Sequence, residues 1–209
     1  MHPFFSIAFS LLAIIGLHVS VQSTGGASEA NTERYFVSTL TVSNGMKWGS
    51  WGLREFCPTG TYAAGFSLMV EKNKFFWDNT ALNGIRLYCV SQTKGLTVLS
   101  EDSSIQSGVG SWGKWTDIKW CPSGFLTAFQ LRVESAKEIG DNTAANNIRF
   151  NCSRGTVLEG EGTDQGEWGE WSPPGLGRGI CGIRTKIEEK QGFTGDDTAL
   201  NDVRMFRCD

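Results

Sequence analysis

The amino-acid sequence predicts an all-β fold in which three antiparallel sheets are related by internal pseudo-threefold symmetry. The first observation is a segment with the pattern Asp-Asn/Asp-Thr-Ala-x-Asn-x-Ile/Val-Arg, which occurs three times and begins at Asp78, Asp141 and Asp196. The second is a Trp-Gly-x-Trp motif upstream of each copy, formed by Trp48 and Trp51, by Trp112 and Trp115, and by Trp168 and Trp171. The third is that no long stretch has the apolar period of a helix. A fixed internal period indicates a repeat architecture.

The first residues are expected to be a secretory signal and not part of the fold. Residues Phe4–Leu17 are almost entirely apolar, and Val21 and Ser23 suit cleavage after Ser23. Such a stretch is too short for a membrane span. We therefore expect a signal peptide at residues 1–23 and a secreted, extracellular chain whose residues 24–209 form a single domain, long enough to bury a sizeable core.

The composition argues against several classes of function. The net charge is −3, and the charges are interspersed without a basic stripe, so neither nucleic acid nor membrane insertion is expected. The two histidines, His2 and His18, both lie in the expected signal peptide. The mature chain would then lack the base of a Ser-His-Asp or Cys-His site and a histidine ligand for zinc. No cofactor and no metal are predicted.

The three repeats run at about residues 35–91, 95–153 and 155–209, and each is expected to supply about four strands. Each opens with a strand-like segment: Phe36–Val42, Leu96–Leu99 and Thr156–Leu158. After the Trp-Gly-x-Trp motif comes an alternating strand, whose apolar face is formed by Phe66, Leu68 and Val70, by Phe129, Leu131 and Val133, and by Ile183, Thr185 and Ile187. The last strand is Ile85–Tyr88 and its counterparts. Three such units favour a closed β-prism, which hides the sheet edges, over a linear solenoid, which needs polar capping repeats.

The order of the repeated motifs resembles the vitelline membrane outer layer protein 1 family. Trp-Gly-x-Trp, Cys-Pro-x-Gly (at Cys57 and Cys121) and the Asp-to-Arg segment follow one another in successive repeats across essentially the whole mature chain. The resemblance implies a secreted β-prism type I fold of three antiparallel Greek-key sheets, a shape shared with jacalin-type lectins. It also implies a place in the protein coat around eggs or in a similar secretion. A weak transferase activity on chito-oligosaccharides has been attributed to the family.

Six cysteines in an exported chain predict disulfide bonds, although six cysteines allow fifteen pairings. Cys57 and Cys89 bracket the first repeat, and Cys121 and Cys152 occupy the same places in the second. Bridges Cys57–Cys89 and Cys121–Cys152 are therefore the most economical assignment. Each closes a loop that contributes roughly 3–4 kcal/mol in the loop-entropy description.

The third repeat departs from this pattern. Arg207 stands at the place of its second cysteine, and the place of its first cysteine falls within Ser172–Pro174. The remaining Cys181 and Cys208 are expected to form a different bridge. Because members of the family that this chain resembles carry both bridges in the third repeat, this chain is expected to have lost one.

The tryptophans offer one set of candidate binding residues. The six indoles of the Trp-Gly-x-Trp motifs could stack on sugar rings or could pack within the fold, and their threefold repetition favours packing. Trp77 and Trp120 do not recur in every repeat, so they are the better candidates for a local ligand site.

Acidic residues offer a second set. The repeated aspartates precede three repeated arginines: Asp78 with Arg86, Asp141 with Arg149, and Asp196 with Arg204. A ring of carboxylates would bind calcium or serve glycoside chemistry, whereas a loop clamp to the arginine is the structural alternative that repetition favours. Three glutamates that end the alternating strands would also suit a glycosidase if two met in a cleft: Glu71, Glu134 and Glu188. Asn151-Cys152-Ser153 is formally an N-glycosylation sequon, but a disulfide at Cys152 argues against its use.

Two functions are consistent with these features. The favoured one is a structural or binding protein of an extracellular coat, with coat or matrix proteins and glycans as partners and no catalysis. The alternative is a carbohydrate-active enzyme that works by carboxylates alone. A pocket on the threefold axis lined by repeated residues would indicate a structural role, and one off the axis lined by Trp77 or Trp120 would indicate a specific ligand.

Overall fold

The computed structural model describes residues 34–71, 81–93, 96–97, 103–134, 144–189 and 199–209, with the backbone alone at 92–93 and 96–97. All regular structure in these ranges is β-strand. The strands are β1 (Ser38–Leu40), β2 (Ser50–Trp51), β3 (Glu55–Phe56), β4 (Thr61–Val70), β5 (Leu82–Thr93), β6 (Leu96–Thr97), β7 (Ser104–Gln106), β8 (Lys114–Trp115), β9 (Lys119–Trp120), β10 (Leu126–Val133), β11 (Ala145–Cys152), β12 (Val157–Glu159), β13 (Glu167–Trp168), β14 (Gly179–Ile187) and β15 (Leu200–Cys208). No helix in the described ranges could span a membrane. The expected signal peptide lies outside them.

Each repeat contributes one long antiparallel hairpin. These hairpins are β4–β5, β10–β11 and β14–β15, in that order along the chain. Their first strands are the alternating segments, and the predicted apolar face is buried in all three, from Phe66 in the first to Ile187 in the third. Each first strand also carries a β-bulge near its start, between Ala63 and Gly65 in β4 and at matching points in β10 and β14. The three hairpins are therefore alike in register as well as in sequence.

Each sheet combines the hairpin of one repeat with short strands from the next repeat. Sheet I has the order β7-β5-β4-β8, with β9 also on β4 and β6 on the end of β5. Sheet II has the order β12-β11-β10-β13. Sheet III has the order β1-β15-β14-β2, with β3 also on β14. A repeat thus spans two sheets, which the sequence period does not reveal.

The two ends of the chain close the ring of sheets. Strand β1 pairs with β15 through Ser38 and Arg207 and through Leu40 and Met205, so the first repeat supplies the flanking strands of sheet III. If β1 is counted as following β15, all three sheets have the Greek-key order. The fold is an all-β prism of three antiparallel Greek-key sheets with pseudo-threefold symmetry, as predicted.

The core lies between the three sheets and is built from aliphatic and phenylalanine side chains. Each hairpin contributes inward residues to one continuous cluster, among them Phe66, Phe129, Phe150, Ile183 and Met205. Phe150 contacts both Phe66 and Phe129, with ring centroids 4.7 and 6.2 Å apart. No tryptophan of the described residues belongs to this cluster. Burial of these apolar side chains contributes about 1.5–3 kcal/mol each.

One expected element lies elsewhere than the sequence suggested. The opening strand of the second repeat is β7, which pairs with β5 as β1 pairs with β15, and is not Leu96–Leu99. Within that expected strand, Leu96 and Thr97 pair instead with Thr93 and Gln92, because the chain turns straight back on itself after β5. Strand propensity alone could not distinguish this local hairpin from the true flanking strand.

Candidate functional site

The Ala-x-Asn part of the repeated motif builds the same corner in every repeat. Its alanine has a positive φ in all three copies: 38° at Ala81, 49° at Ala144 and 49° at Ala199. This left-handed conformation costs a non-glycine residue about 1 kcal/mol or more. In the second repeat the Ala144 carbonyl accepts the backbone N–H of Glu134 at 2.9 Å and the side-chain amide of buried Asn146 at 3.0 Å. The aspartates that precede these corners lie outside the described residues, but the corner itself has a structural role.

The repeated arginines lie over tryptophan rings of the flanking strands. The guanidinium carbon is 4.3 Å from the ring centre for Arg204 and Trp51, 4.1 Å for Arg86 and Trp115, and 4.4 Å for Arg149 and Trp168. Each contact crosses the middle strand of one sheet and is worth about 0.5–2 kcal/mol. These contacts between arginine and tryptophan therefore hold the short flanking strands beside the hairpins.

In the third repeat the Trp-Gly-x-Trp sequence motif does not align in structure with the motifs of the other two repeats. Trp168 pairs with Arg132 of β10 as Trp51 pairs with Lys186 and Trp115 with Met69, so Trp168 is the counterpart of the second tryptophan in the other repeats. Gln165 then occupies the place of Trp48 and Trp112. The sequence contains Gly-Glu-Trp twice in succession from residue 166, so the Trp-Gly-x-Trp pattern fits Trp168 and Trp171, although Trp168 is structurally the second position. Trp171 is an additional indole, 36% exposed.

Trp120 packs onto sheet I. Its backbone pairs with Gly65, and a side chain at Gly65 would collide with the indole. The ring also contacts Tyr88, with centroids 5.5 Å apart. Phe56 packs over Gly182 in the same way on sheet III. The Trp120 indole therefore packs on the strand where Gly65 has no side chain. It does not line the cleft described next.

A cleft of about 660 Å³ opens where sheet I meets sheet II, away from the shared core. Its volume is typical of small-molecule sites. Apolar and polar side chains line it together, the apolar ones being Val70, Trp112 and Trp115 and the polar ones Glu71, Lys114, Thr116, Asp117 and Glu161. These residues come from one joint between two sheets, so the cleft lies off the threefold axis.

One residue distinguishes this joint from its two counterparts. Thr116 donates its backbone N–H to the Leu68 carbonyl, at the point where Gly52 and Gly169 bond to the equivalent carbonyls. A side chain at Gly52 would lie 2.8 Å from the backbone nitrogen of Gly108 in the facing loop, and one at Gly169 would collide with Asn44. Glycine thus allows the facing loop to approach closely at those two joints, whereas the joint of sheets I and II has Thr116, with its side chain, at this position.

The cleft combines an exposed aromatic ring with several carboxylates. Trp112 is 39% exposed, while Glu71 is only 8% exposed and lies at the floor beside Val70. Glu161 forms an ion pair with Lys119 at 2.6 Å, which ties the sheet II side of the cleft to sheet I. Asp117 is exposed at the rim. Among the described residues, no group of three His, Cys, Asp or Glu side chains could hold a metal ion.

Comparisons with known proteins place the chain in a family. The sequence model of the family described as vitelline membrane outer layer protein I matches residues 38–209. The chain belongs to the vitelline membrane outer layer protein I family. A human relative named vitelline membrane outer layer protein 1 homolog is 43% identical over 198 residues, covering 93% of this chain and 95% of the relative. The mouse relative of the same name is 46% identical over 182 residues, covering 86% and 88%.

Solved structures of lectins are similar in outline to this vitelline membrane outer layer family member. Frutapin, a lectin from Artocarpus incisa, has 14% identity and a TM-score of 0.49, covering 84% of this chain and 99% of that chain. An artocarpin–mannotriose complex has 15% identity and a TM-score of 0.49, covering 83% and 98%. These values are too low to bear on what this family member binds.

Two of the three disulfides of this vitelline membrane outer layer family member join neighbouring sheets. Cys57–Cys89 links the β3 edge of sheet III to sheet I, and Cys121–Cys152 links sheet I to sheet II. Both pairings were predicted. The third bridge, Cys181–Cys208, lies within the β14–β15 hairpin of sheet III, as predicted for a bridge of a different kind.

At the third joint, between sheets II and III, an arginine takes the place of the disulfide. Arg207 occupies the strand position of Cys89 and Cys152. Its guanidinium donates to the Thr127 carbonyl on sheet II at 3.4 Å and to the Gly177 carbonyl. In the other two joints a cysteine N–H donates to the carbonyl at the position of Thr127. Pro174 stands there instead and has no N–H to offer.

Four candidate residues lie in parts of the chain that the structure does not describe, and others lie away from the cleft. Trp77, Asp78, Asp141 and Asp196 lie outside the described residues. Glu134 and Glu188 end strands of the other two hairpins, so the structure does not bring the three repeated glutamates together. Asn151 lies in β11 and pairs with Ala128 of β10 and Val157 of β12, so use of its glycosylation sequon stays a prediction. Lys114, Thr116, Asp117 and Glu161 were not foreseen, because nothing in their spacing marks them.

Proposed function

We propose that this chain is an extracellular structural and binding protein, of an egg coat or a similar secretion, that recognises carbohydrate in the cleft beside Trp112. Membership of the vitelline membrane outer layer protein I family supports the setting. Three disulfides and no free cysteine among the described residues support an oxidising compartment. The cleft carries the binding part of the proposal.

The chemistry of the cleft suits a sugar better than an apolar ligand. A sugar ring has an apolar face of C–H groups that packs on a flat indole, and hydroxyl groups that need hydrogen-bond partners at its edge. Trp112 offers the exposed ring, and Lys114, Thr116 and Asp117 offer polar groups around it. The combination does not recur at the other joints. Leu53 follows Gly52 at one of them, and Gln165 replaces the first tryptophan at the other.

The proposal is tested by calorimetric titration of the protein with N-acetylglucosamine oligomers and with mannose oligomers. Trp112→Ala is expected to weaken binding about tenfold, which corresponds to about 1.4 kcal/mol, because it removes the stacking surface. Trp48→Ala is the matched control, since Trp48 is the counterpart of Trp112 and does not line the cleft. Equal losses in both variants, or no binding by the wild type, would reject the cleft as the site.

The alternative function is hydrolysis or transfer of glycosyl groups by carboxylates. Glu71 and Asp117 line the same cleft, which is the observation that favours it. A glycosidase needs two carboxyl groups about 5–10 Å apart on either side of the scissile bond. We propose binding without catalysis, because the carboxylates come from a joint that serves to connect sheets. Product analysis of the titration mixtures is expected to return the N-acetylglucosamine oligomers unchanged, and shortened or lengthened oligomers would establish the enzyme.

A further inference from the structure

The Trp-Gly-x-Trp motif has a property that its role in the fold does not explain. In the first two repeats the second tryptophan stacks under an arginine, but the first one stands at the surface. Trp48 is 54% exposed and Trp112 is 39% exposed. Both rings can therefore be reached from solvent by an enzyme.

The local backbone directs these indoles outwards. Gly49 and Gly113 follow them with positive φ angles of 76° and 103°. A side chain at either glycine would collide with the backbone of the neighbouring hairpin strand, at Ile187 or at Val70. The backbone passes very close to that strand at the glycine, and the tryptophan before the glycine lies at the protein surface. The motif thus presents its first indole in the same way at two places.

We propose that Trp48 and Trp112 are acceptors for a carbon-linked mannose. Luminal transferases of the secretory pathway attach mannose to the first indole of Trp-x-x-Trp sequences, and this exported chain carries that spacing at Trp48–Trp51 and Trp112–Trp115. The inference rests on the part of the proposed function that sends the chain through that pathway. Attachment converts two exposed apolar rings into surfaces rich in hydroxyl groups, which suits a protein kept in an aqueous secretion.

The chemistry is a substitution on the indole ring with a lipid-linked mannosyl phosphate as donor. The indole C2 attacks the anomeric carbon of mannose, and a carbon–carbon bond forms. The bond from that carbon to the phosphate oxygen breaks, and the polyprenyl phosphate leaves with the bonding pair. The indole then loses its C2 proton and regains aromaticity. Nothing is oxidised or reduced, so no further reactant is needed.

The third motif provides an internal comparison. Trp168 is the first tryptophan of that sequence motif, but it takes the structural place of Trp51 and Trp115 and has Arg149 over its ring at 4.4 Å. Trp168 is also less exposed than Trp48 and Trp112, so a transferase can approach its indole less readily. The proposal therefore includes Trp48 and Trp112 and excludes Trp168, although the three sequence motifs look alike.

The two acceptor positions differ in their relation to the cleft. Trp112 lines it, so a mannose on that ring would enter a space of about 660 Å³ and add hydroxyl groups next to Lys114 and Thr116. Trp48 does not line it. Modification at Trp48 is thus independent of any ligand in the cleft, while modification at Trp112 would change the affinity of the cleft for oligosaccharides.

The test is peptide mass spectrometry of the full chain secreted by animal cells. We expect peptides containing Trp48 and Trp112 to carry one hexose each, with the cross-ring fragmentation of a carbon-linked sugar, and the Trp168 peptide to be unmodified. The same protein from cells lacking the tryptophan mannosyltransferase should carry none. Unmodified Trp48 and Trp112 in secreted protein from competent cells would overturn the inference and leave the proposed function intact. A hexose on Trp168 would overturn the structural basis of the selection.

Measuring whether the chain is present in the culture medium distinguishes failure of the proposed function from failure of the inference. If the chain does not appear outside the cells, the proposed extracellular function fails, and the inference that depends on it fails with it. If it appears there without hexose, only the modification is rejected.

Discussion

At the scale of single residues, the structure explains why certain residue types recur. The sequence showed that alanine and asparagine follow one another with fixed spacing in three places, and their repetition predicted a role in the scaffold. It could not show that Ala144 has a left-handed backbone or that Asn146 bonds to its carbonyl while accepting from the Thr163 hydroxyl at 2.7 Å. These roles depend on backbone angles and on a partner from another repeat, neither of which is visible in a residue pattern.

Asp202 is a residue-scale exception among its counterparts. Burial raises the pKa of its carboxyl above the ordinary 3.8, although the Val203 N–H and the charges of Arg204 and Lys186 act in the opposite direction. The equivalent residue in the second repeat is Asn147, whose side-chain oxygen accepts the next backbone N–H at 2.8 Å, as Asp202 does at 2.7 Å. A neutral amide thus fits this place in the fold.

We expect Asp202→Asn to stabilise the protein at neutral pH, by at most about 1 kcal/mol because the carboxylate is only partly buried and solvent screens it. A carboxyl whose pKa is raised on folding binds its proton more tightly in the folded state. Its destabilising effect is therefore present above the folded pKa and disappears as the pH falls below 3.8. Urea unfolding of both proteins at pH 7 and near pH 3 measures this. A variant that is less stable at pH 7 would contradict the assignment.

At the scale of elements, the three joints between sheets are stabilised by different interactions. Two have a disulfide, and the third has the Arg207 guanidinium across Pro174. Counting along the repeats predicted which cysteines pair and that Arg207 replaces one of them. It did not predict that these bridges connect different sheets, because the sequence repeat is offset from the sheet. The shifted tryptophan motif at Trp168 was missed for a related reason: strand register is set by pairing with β10, which sequence spacing does not report.

The double variant Pro174→Cys/Arg207→Cys is expected to form the missing bridge at the third joint. Both positions correspond in register to bonded cysteines at the other joints, and Gly175 lies against the Arg207 side chain. Because Cys181–Cys208 already joins these two segments, the additional loop closed through that bridge has only about nine residues, and the loop-entropy gain is about 2–3 kcal/mol before the loss of the arginine hydrogen bonds. Thermal unfolding with and without reductant measures the gain.

The single variant Arg207→Cys is the control for this experiment. It loses the arginine hydrogen bonds without gaining a bridge, so it should unfold at a lower temperature than the wild type. A double variant in which titration finds two free thiols would show that Pro174 and Arg207 do not face each other as the register implies.

At the scale of the whole molecule, the three similar repeats build the scaffold, and a difference between the repeats accompanies the candidate site. The internal repeat predicted three antiparallel sheets. It also predicted that the position of the pocket, on or off the threefold axis, would distinguish a structural role from a specific ligand. The structure has an off-axis cleft, lined by Trp112 and Trp115 and not by Trp120. Sequence alone could not locate it, because spacing does not show that Thr116 occupies the place where Gly52 and Gly169 let facing loops approach closely at the other two joints. Which loops face each other follows from the closure of the chain by β1 on β15.

The central claim is that one joint of a nearly symmetric prism binds oligosaccharides. Indole N–H signals in a nitrogen-15 NMR titration test it most directly, since equivalent tryptophans of the other repeats serve as controls in the same sample. With N-acetylglucosamine or mannose oligomers, we predict shifts for Trp112 and Trp115 and none for Trp48 and Trp51. Equal shifts at both pairs, or shifts at Trp48 and Trp51 alone, would contradict the account.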